Sequence, residues 1–199
     1  MNRLILLLLT ATLFSNYGCS PKPDSNKIAE ETNDSLVEQA TPVQAEQLAA
    51  DSKANAKDVA EFMVAVADAG HTLGALSQLG VERATNPAVK AFAQQALDQQ
   101  REHESDLADV AQTYKIILPR ALSTDNETRV NRLRDEKAGP NFDKAYLRYM
   151  VDINDQAISK AKKLVDNADS PAVKNLALTI SADDEKQMND ADKLMNNVE

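Results

Sequence analysis

Few residues in this sequence can cross-link a fold or interrupt it. The 199 residues include one cysteine, no tryptophan, five glycines and seven prolines, and aromatic residues make up 4%. A single cysteine excludes an internal disulfide framework. Because alanine, leucine, valine and charged or amide side chains dominate, the composition is typical of a helical bundle, and the length suits one domain with extensions.

Positively charged residues are also in the minority. Lysine and arginine number 22 against 31 aspartate and glutamate residues, so the formal net charge is -9. Because nucleic-acid binding needs a basic face that displaces counterions, this balance argues against a nucleic-acid partner. The sequence has no glycine-rich phosphate loop, no nucleophile elbow and no cysteine–histidine pair. It therefore predicts neither a catalytic residue nor a cofactor.

The amino terminus has the pattern of an export signal. A basic start at Asn2-Arg3 precedes an apolar run from Leu4 to Phe14 that two threonines interrupt. At about eleven residues the run is too short to span a bilayer as a helix. Residues 1–18 are therefore predicted to be a signal peptide.

The end of this signal, residues 16–20, resembles the lipobox of bacterial lipoproteins, although Asn16 stands where an aliphatic residue is usual. In those proteins the cysteine is lipidated and becomes the first residue of the mature chain. The resemblance implies lipidation of Cys19, membrane contact through that lipid, and a place on the periplasmic face of the cell envelope. Because Ser20 is not the aspartate of inner-membrane retention, the outer membrane is expected. The alternative is an ordinary signal peptide with an incidental cysteine.

Residues 19–56 are polar and contain few large apolar side chains, with prolines at positions 21, 23 and 42. Such a stretch buries too little apolar surface to offset the entropy of ordering it. We therefore expect a disordered polar tether between the lipid and a folded domain spanning residues 57–198.

A short motif occurs twice, each time at the start of a long helical pattern. Asn86–Lys90 recurs as Ser170–Lys174, 84 residues later (170 minus 86). In both copies a side chain suited to an N-cap precedes a proline at the first helical position. The repeat predicts two helical hairpins packed against each other.

Four long amphipathic patterns fill the predicted domain. They are expected at about Asp58–Ala84, from Pro87 to about residue 115, at about Asn141–Asn167 and from Pro171 onward, with a short helix between Ser123 and Leu133. Short turns make the first two and the last two helices antiparallel neighbours, and the long connection crosses from one pair to the other. The sequence thus predicts an all-α fold, a ferritin-like four-helix bundle of two antiparallel hairpins with a long crossover.

Five segments of the chain resemble the bacterial family catalogued as domain of unknown function 4142, whose fold is ferritin-like. The segments are Phe62–Gly70, Asn86–Ala93, Leu118-Pro119, Gly139–Leu147 and Pro171–Lys174. The run Phe-Asp-Xaa-Ala-Tyr in the fourth segment is the most specific of them. The resemblance covers residues 58–197 in order and implies membership of that family.

The resemblance also implies a metal site whose ligands this chain lacks. Typical members carry a glutamate on the first long helix, an aspartate–histidine pair on the second and a histidine on each of the last two. These look like metal ligands facing a bundle core. The corresponding positions here are Leu73, Gln99-Gln100, Asn154 and Gln187. Because leucine and amide side chains are poor metal ligands, the resemblance implies no bound metal in this member.

Helical periodicity places an inward polar cluster on the buried faces of the long helices. Its members are Gln100, His103, Asn154, Asp184 and Gln187. One interpretation is a hydrogen-bonded group in the core. The other is a remodelled metal site, for which His103 and Asp184 are weak candidate ligands. His71 lies off the buried stripe and is expected to be solvated, as is the charge run Asp183–Glu185.

Three functions remain open from the sequence. The first is a non-catalytic envelope lipoprotein that acts as a binding or structural module for an unknown protein or small molecule. The second is a metal-binding oxidase or storage protein with a remodelled site. The third is carriage of a small apolar ligand in a pocket along the first long helix, where Gly70, Gly74 and Gly80 suggest close approach of a neighbouring helix. Fold likeness alone licenses no activity.

Overall fold

The computed structural model describes residues 23–39 and 53–198, and within these ranges the chain forms six helices and no strand. The helices are α1 Ser25–Gln39, α2 Lys53–Arg83, α3 Pro87–Tyr114, α4 Thr124–Asp135, α5 Pro140–Asn167 and α6 Pro171–Met195. The predicted all-α class is confirmed. The predicted signal peptide and Cys19 lie outside the described residues.

Both copies of the repeated motif cap a helix as predicted. The Asn86 side chain accepts hydrogen bonds from the backbone N–H groups of Ala88 at 2.8 Å and Val89 at 3.4 Å. The Ser170 hydroxyl accepts one from Val173 N–H at 3.3 Å. These bonds satisfy backbone donors that have no partner inside the helix, which fixes where α3 and α6 begin.

The four long helices pack in the order α2, α3, α6, α5, with α2 also contacting α5. The contacts of α5 with α6 and of α2 with α3 and α5 are extensive, whereas the contact between α3 and α6 is much smaller. The connection between α2 and α3 is short, as is that between α5 and α6, so each pair is an antiparallel hairpin. Helices α1 and α4 both lie against α2.

The apolar core consists of two clusters of buried side chains along the long helices. One contains Leu73, Phe142 and Tyr146, and the other contains Met63 and Leu107 among its members. The α2 segment Ala56–Arg83 is apolar and long enough to cross a membrane, but 61% of its most apolar window is buried inside the protein. The apolar residues of this segment therefore belong to the core of the domain.

The three glycines of α2 have different surroundings. A Cβ at Gly80 would lie 2.7 Å from the Cβ of Ala93 and 2.9 Å from the ring of Tyr146, so the predicted close approach holds there. A Cβ at Gly70 would make an ordinary contact of 3.5 Å with Gln100 Oε1, and one at Gly74 would meet no atom within 4 Å. The suggestion of close helix packing is wrong at Gly74.

The prediction of a disordered tether over residues 19–56 is wrong for Ser25–Gln39, which form α1, and α2 begins at Lys53 instead of near Asp58. Ala29 and Val37 of α1 make apolar contacts with the domain, and specific polar contacts add to them. The buried Asn33 side chain donates to Ile117 O at 2.8 Å and accepts from Ile117 N–H at 2.7 Å. This two-bond match to a loop about 80 residues away helps to hold α1 on the domain, and hydropathy does not reveal it.

Two buried carboxylates fix the connections between helices. Asp68 accepts hydrogen bonds from the Ser123 N–H and hydroxyl and from the Asn126 amide, at 2.7–2.8 Å. Asp143 accepts from Thr85 N–H at 3.0 Å, Thr85 hydroxyl at 2.9 Å and Asn86 N–H at 2.7 Å. Each buried charge is therefore matched by three donors, which is how a protein interior tolerates a carboxylate.

Candidate functional site

The five residues of the inward polar cluster are all buried. Gln100 and His103 lie on α3, Asn154 lies on α5, and Asp184 and Gln187 lie on α6; their exposed fractions range from 0% at Asn154 to 7% at His103. The cluster thus lies among the long helices, with members on both sides of the lightly packed α3–α6 boundary.

Two hydrogen bonds cross between α3 and α6. His103 Nε2 lies 3.0 Å from Asp183 Oδ2, and Gln187 Nε2 donates to Gln99 Oε1 at 2.6 Å. Asn154 instead donates to Met150 O on its own helix at 2.8 Å. His103 therefore pairs with Asp183 and not with Asp184, which the sequence analysis had named beside it as a candidate metal ligand.

The Asp183 contact determines the tautomer of a neutral His103 ring. An ionised carboxylate only accepts hydrogen bonds, so the proton of the neutral imidazole must lie on Nε2. The other ring nitrogen, Nδ1, is then an acceptor. His103 Nδ1 is buried and has no hydrogen-bond partner.

Other buried polar atoms of the cluster are also without partners. They are Gln100 Nε2, Asn154 Oδ1, Asp184 Oδ1 and Gln187 Oε1. An unpaired buried polar group costs about 1 to 3 kcal/mol, and such groups are uncommon in folded proteins. Their concentration in one layer of the domain marks this layer as a candidate binding site.

Asp184 differs from the other two buried aspartates of the described residues. It is 1% exposed, but it receives no hydrogen bond of normal geometry, whereas Asp68 and Asp143 receive three each. Burial raises the pKa of Asp184 from 3.8 to about 7. The nearby Gln100 amide opposes this rise, and the negative charge of Asp183 makes a smaller contribution that adds to it. Near neutral pH this carboxyl group can therefore be charged or protonated.

A cavity of about 250 Å³ lies between the four long helices, next to Asp184. Each of those helices contributes to its wall, and the loop after α3 closes one side. The apolar lining includes Val66, Leu73, Leu107, Leu118, Ala157 and Ile180, and the polar lining consists of His71, Gln100, His103, Glu104, Arg120 and Asp184. The wall combines both apolar core clusters with part of the inward polar cluster.

The cavity adjoins a groove of about 420 Å³ between α2 and α3. Both are lined by Gly70, His71, Gln100, Glu104 and Arg120. His71 Nε2 lies 3.1 Å from Glu104 Oε1 at this junction, and the ring is about a quarter exposed. His71 was expected to be solvated, but the structure places it in the wall of the cavity.

The residues present do not fit the metal site that the family resemblance implies. Within residues 23–39 and 53–198, no three histidine, cysteine, aspartate or glutamate side chains come together as a metal-binding group. Leu73 offers no donor atom, and Asn154 and Gln187 bond to protein groups through their amide nitrogens, which leaves only neutral amide oxygens, poor ligands for a metal ion. The candidate pair His103 and Asp184 lacks a third ligand in the part of the chain that the structure describes, and Asp183 occupies His103 Nε2. We derive no metal chemistry from this site.

Two parts of the site could not be found by reading the sequence. Asp183 belongs to a run of three acidic residues, which is typical of a solvated helix face, yet it is the residue that orients His103. The lining by Leu118 and Arg120 depends on the path of the loop after α3. The buried stripes of α3 and α6 and the positions implied by the family resemblance were the signals in the sequence that led to these residues.

Comparison with known families identifies the chain. A family model described as "Domain of unknown function (DUF4142)" matches residues 43–194, well over half of the sequence. The chain belongs to the DUF4142 family. No functionally curated protein matches it.

Two solved structures resemble this DUF4142 chain in fold. A DUF305 fragment from Deinococcus radiodurans has a TM-score of 0.63 at 16% identity, with 70% of this chain and 96% of the fragment covered. A conserved hypothetical protein from Mycobacterium tuberculosis has a TM-score of 0.54 at 12% identity, with 72% and 91% covered. At such identities the likeness concerns the helical fold alone.

Proposed function

We propose that this DUF4142 protein is a non-catalytic cell-envelope lipoprotein whose helical domain binds a small molecule. The observation that carries the proposal is the cavity of about 250 Å³, in which a mostly aliphatic wall meets the buried polar residues Gln100, His103 and Asp184. Small-molecule sites in proteins have this composition, an apolar pocket with a few convergent polar groups.

The size of the cavity supports a compact ligand. An apolar cavity of about 150 Å³ in a protein core binds benzene. The larger space here accepts a ring of that size with a polar substituent, whereas sites for drug-sized molecules start at about 300 Å³. The groove between α2 and α3 provides the path of entry, because five residues line both spaces.

We also propose that this helical domain has a ferritin-like arrangement, which the order of its helices supports. Two hairpins, α2–α3 and α5–α6, are joined by a connection that contains α4 and passes over α2. One long crossover between two antiparallel pairs is the ferritin-like topology. In such bundles ligand sites are built in the core from facing helices, which is where the cavity lies.

The amino-terminal residues supply the anchor in this proposal. The apolar run before Cys19 and the lipobox-like sequence at residues 16–20 support export and lipidation. A lipid on Cys19 would hold the domain at the periplasmic face of the envelope, at the outer membrane. Replacing Cys19 with serine should abolish incorporation of labelled fatty acid and release the protein from the membrane fraction. Retained label in the Cys19→Ser variant would contradict lipidation at this residue.

Binding in the cavity is tested with two matched leucine variants of α2. Gly70 lines both the cavity and the groove, whereas Gly74 lines the groove alone. Both substitutions remove a mid-helix glycine and should raise helix propensity similarly, by about 1 kcal/mol. Only leucine at position 70 places a side chain at the cavity entrance.

The probes are cyclohexylmethanol, cyclohexylmethylamine and cyclohexanecarboxylate, measured by isothermal titration calorimetry on the purified full-length protein. We expect at least one probe to bind the wild type and the Gly74→Leu variant, and to lose about tenfold or more in affinity in Gly70→Leu, since the added side chain competes for the same volume. If no probe binds the wild type, or if Gly70→Leu binds as well as Gly74→Leu, the cavity is not the binding site.

A further inference from the structure

We infer that the ligand of this cavity is a small aliphatic primary amine, bound as its ammonium ion by Asp184 and His103. The inference rests on the proposed function and specifies its ligand. It depends on the kinds of polar atom that line the cavity without a partner.

Most of the unpartnered atoms in the wall are acceptors. Asp184 Oδ1 on α6 is an acceptor when ionised, and His103 Nδ1 on α3 is an acceptor in the neutral ring, whose proton the Asp183 contact places on Nε2. The same reasoning applies to His71 on α2, whose Nε2 faces Glu104 and whose Nδ1 is buried without a partner. An ammonium group carries three N–H donors and no acceptor, and so it complements such a wall.

The charges around the cavity also favour a cation. The titratable groups of the wall or in contact with it are His71 on α2, His103 and Glu104 on α3, Arg120 in the loop, and Asp183 and Asp184 on α6. Arg120 is exposed at the entrance, whereas Asp184 is 1% exposed. A carboxylate ligand would meet the negative charge of Asp184 in a poorly solvated space, which is costly, and an ammonium ion would neutralise it.

The rest of the wall sets the shape of the ligand. Val66, Leu73, Leu107 and Ile180 provide aliphatic surface opposite the polar atoms. A hydrocarbon body of about six to eight carbons buries its area there at roughly 25 cal/mol per Å². The ligand is therefore amphipathic, with one charged end and no second polar group required.

Isothermal titration calorimetry of the full-length protein at pH 8 tests this assignment with the same three probes, which differ in the head group on an identical ring. We expect the amine to bind about tenfold or more tightly than the alcohol, and the carboxylate to bind weakest. A hydrogen bond to a charged partner accounts for this ratio. The ranking is obtained on the wild type and does not depend on a variant that folds.

The Asp184→Asn variant then tests the named residue. It should lose about tenfold or more in affinity for the amine and keep its affinity for the alcohol within about threefold, because asparagine has the same shape without the charge. Asp155→Asn, which removes an exposed carboxylate from α5, is the matched control and should leave both affinities unchanged.

A second measurement does not require a variant. At pH 7 the amine should displace about half a proton from the protein, detected as a dependence of the binding enthalpy on the ionisation enthalpy of the buffer, whereas the alcohol should displace none.

The outcomes separate the two proposals. If the alcohol or the carboxylate binds in the cavity as tightly as the amine, or if Asp184→Asn keeps full amine affinity, the amine assignment is overturned and the binding function stands. If the wild type binds none of the probes, both proposals fail.

Discussion

Replacing Asp184 with asparagine should stabilise the protein at neutral and alkaline pH. Burial, with a smaller contribution from the neighbouring Asp183, raises the pKa of Asp184 from 3.8 to about 7 despite the opposing Gln100 amide. Between these two values the folded chain keeps a proton that the unfolded chain releases. Since the folded state binds more protons there, the free energy of unfolding decreases as pH rises through this interval.

The size of the effect follows from the two pKa values. Each pH unit between them removes about 1.4 kcal/mol from the stability of the wild type, and the full interval removes about 4 kcal/mol. The stability associated with this group is fully present below about pH 4 and is lost by about pH 7. Asparagine has no proton to lose, so the Asp184→Asn variant escapes this decrease. Between pH 5 and pH 8 the free energy of unfolding of the variant, relative to that of the wild type, should increase by about 3 kcal/mol.

Urea unfolding of the wild type and the variant at several pH values measures this difference, and the comparison cancels the titration of all other groups that the substitution leaves unchanged. Asp155→Asn serves as control, because an exposed substitution should change stability by less than about 0.5 kcal/mol at any pH. If the difference in free energy of unfolding between the wild type and Asp184→Asn stays constant from pH 5 to pH 8, the pKa of Asp184 is not raised. A variant that becomes less stable as pH rises would show that Asp184 is an ion pair or acceptor that the fold requires in charged form.

Three further predictions concern stability and are measured by chemical unfolding. Gly74→Ala should stabilise the protein by about 1 kcal/mol, whereas Gly80→Ala should destabilise it by about 1 to 3 kcal/mol, because only the Cβ at position 80 enters occupied space. If both substitutions stabilise the protein, the close approach at Gly80 is contradicted. Asn33→Ala should cost about 1 to 3 kcal/mol and accelerate hydrogen exchange in α1, since both bonds to Ile117 are lost; unchanged exchange would show that α1 is held by other contacts. Asp143→Ala should cost about 2 to 4 kcal/mol, because three donors at the α2–α3 turn lose their acceptor; a loss under 1 kcal/mol would assign that turn to the caps alone.

The long helices could be predicted because their signals are local. The capping side chains of Asn86 and Ser170, each followed by proline, give the start of two helices within one residue, and the spacing of apolar side chains gives their buried faces. Helix α1 could not be predicted in this way. Its mean hydropathy is low, and Asn33 is held by a partner at Ile117, which no local pattern can indicate.

The site was accessible to the sequence only in part. Periodicity alone brings Gln100, His103 and Asp184 inward, because each lies on a buried stripe. It cannot show which carboxylate His103 contacts, since Asp183 and Asp184 are adjacent and a rotation of α6 by part of a turn would exchange them. It also cannot show a cavity, which depends on how completely the side chains of four helices fill the space between them.

The properties of Asp184 link the stability of the fold to binding. An amine can pair with this residue only when the carboxyl group is ionised, and the fraction ionised decreases about tenfold for each pH unit below its pKa of about 7. The amine itself stays protonated throughout, since alkylammonium groups lose their proton near pH 10. The other titratable or charged groups that face the cavity are His71 on α2, His103 and Glu104 on α3, and Arg120 in the loop after α3.

Amine affinity should therefore be about 100-fold weaker at pH 5 than at pH 8, and the increase in melting temperature that the amine produces should shrink accordingly. Cyclohexylmethanol is the control, because it can bond to Asp184 in either state and should change by less than about threefold. In the Asp184→Asn variant the pH dependence of amine affinity should be much smaller than in the wild type. An amine affinity that is the same at both pH values in the wild type would contradict ionisation of Asp184 as the condition for binding. Ionisation of Asp184 reduces the stability of the protein by about 4 kcal/mol, and pairing with a bound cation would restore part of this free energy. A residue with a purely structural role would not link amine affinity to pH in this way.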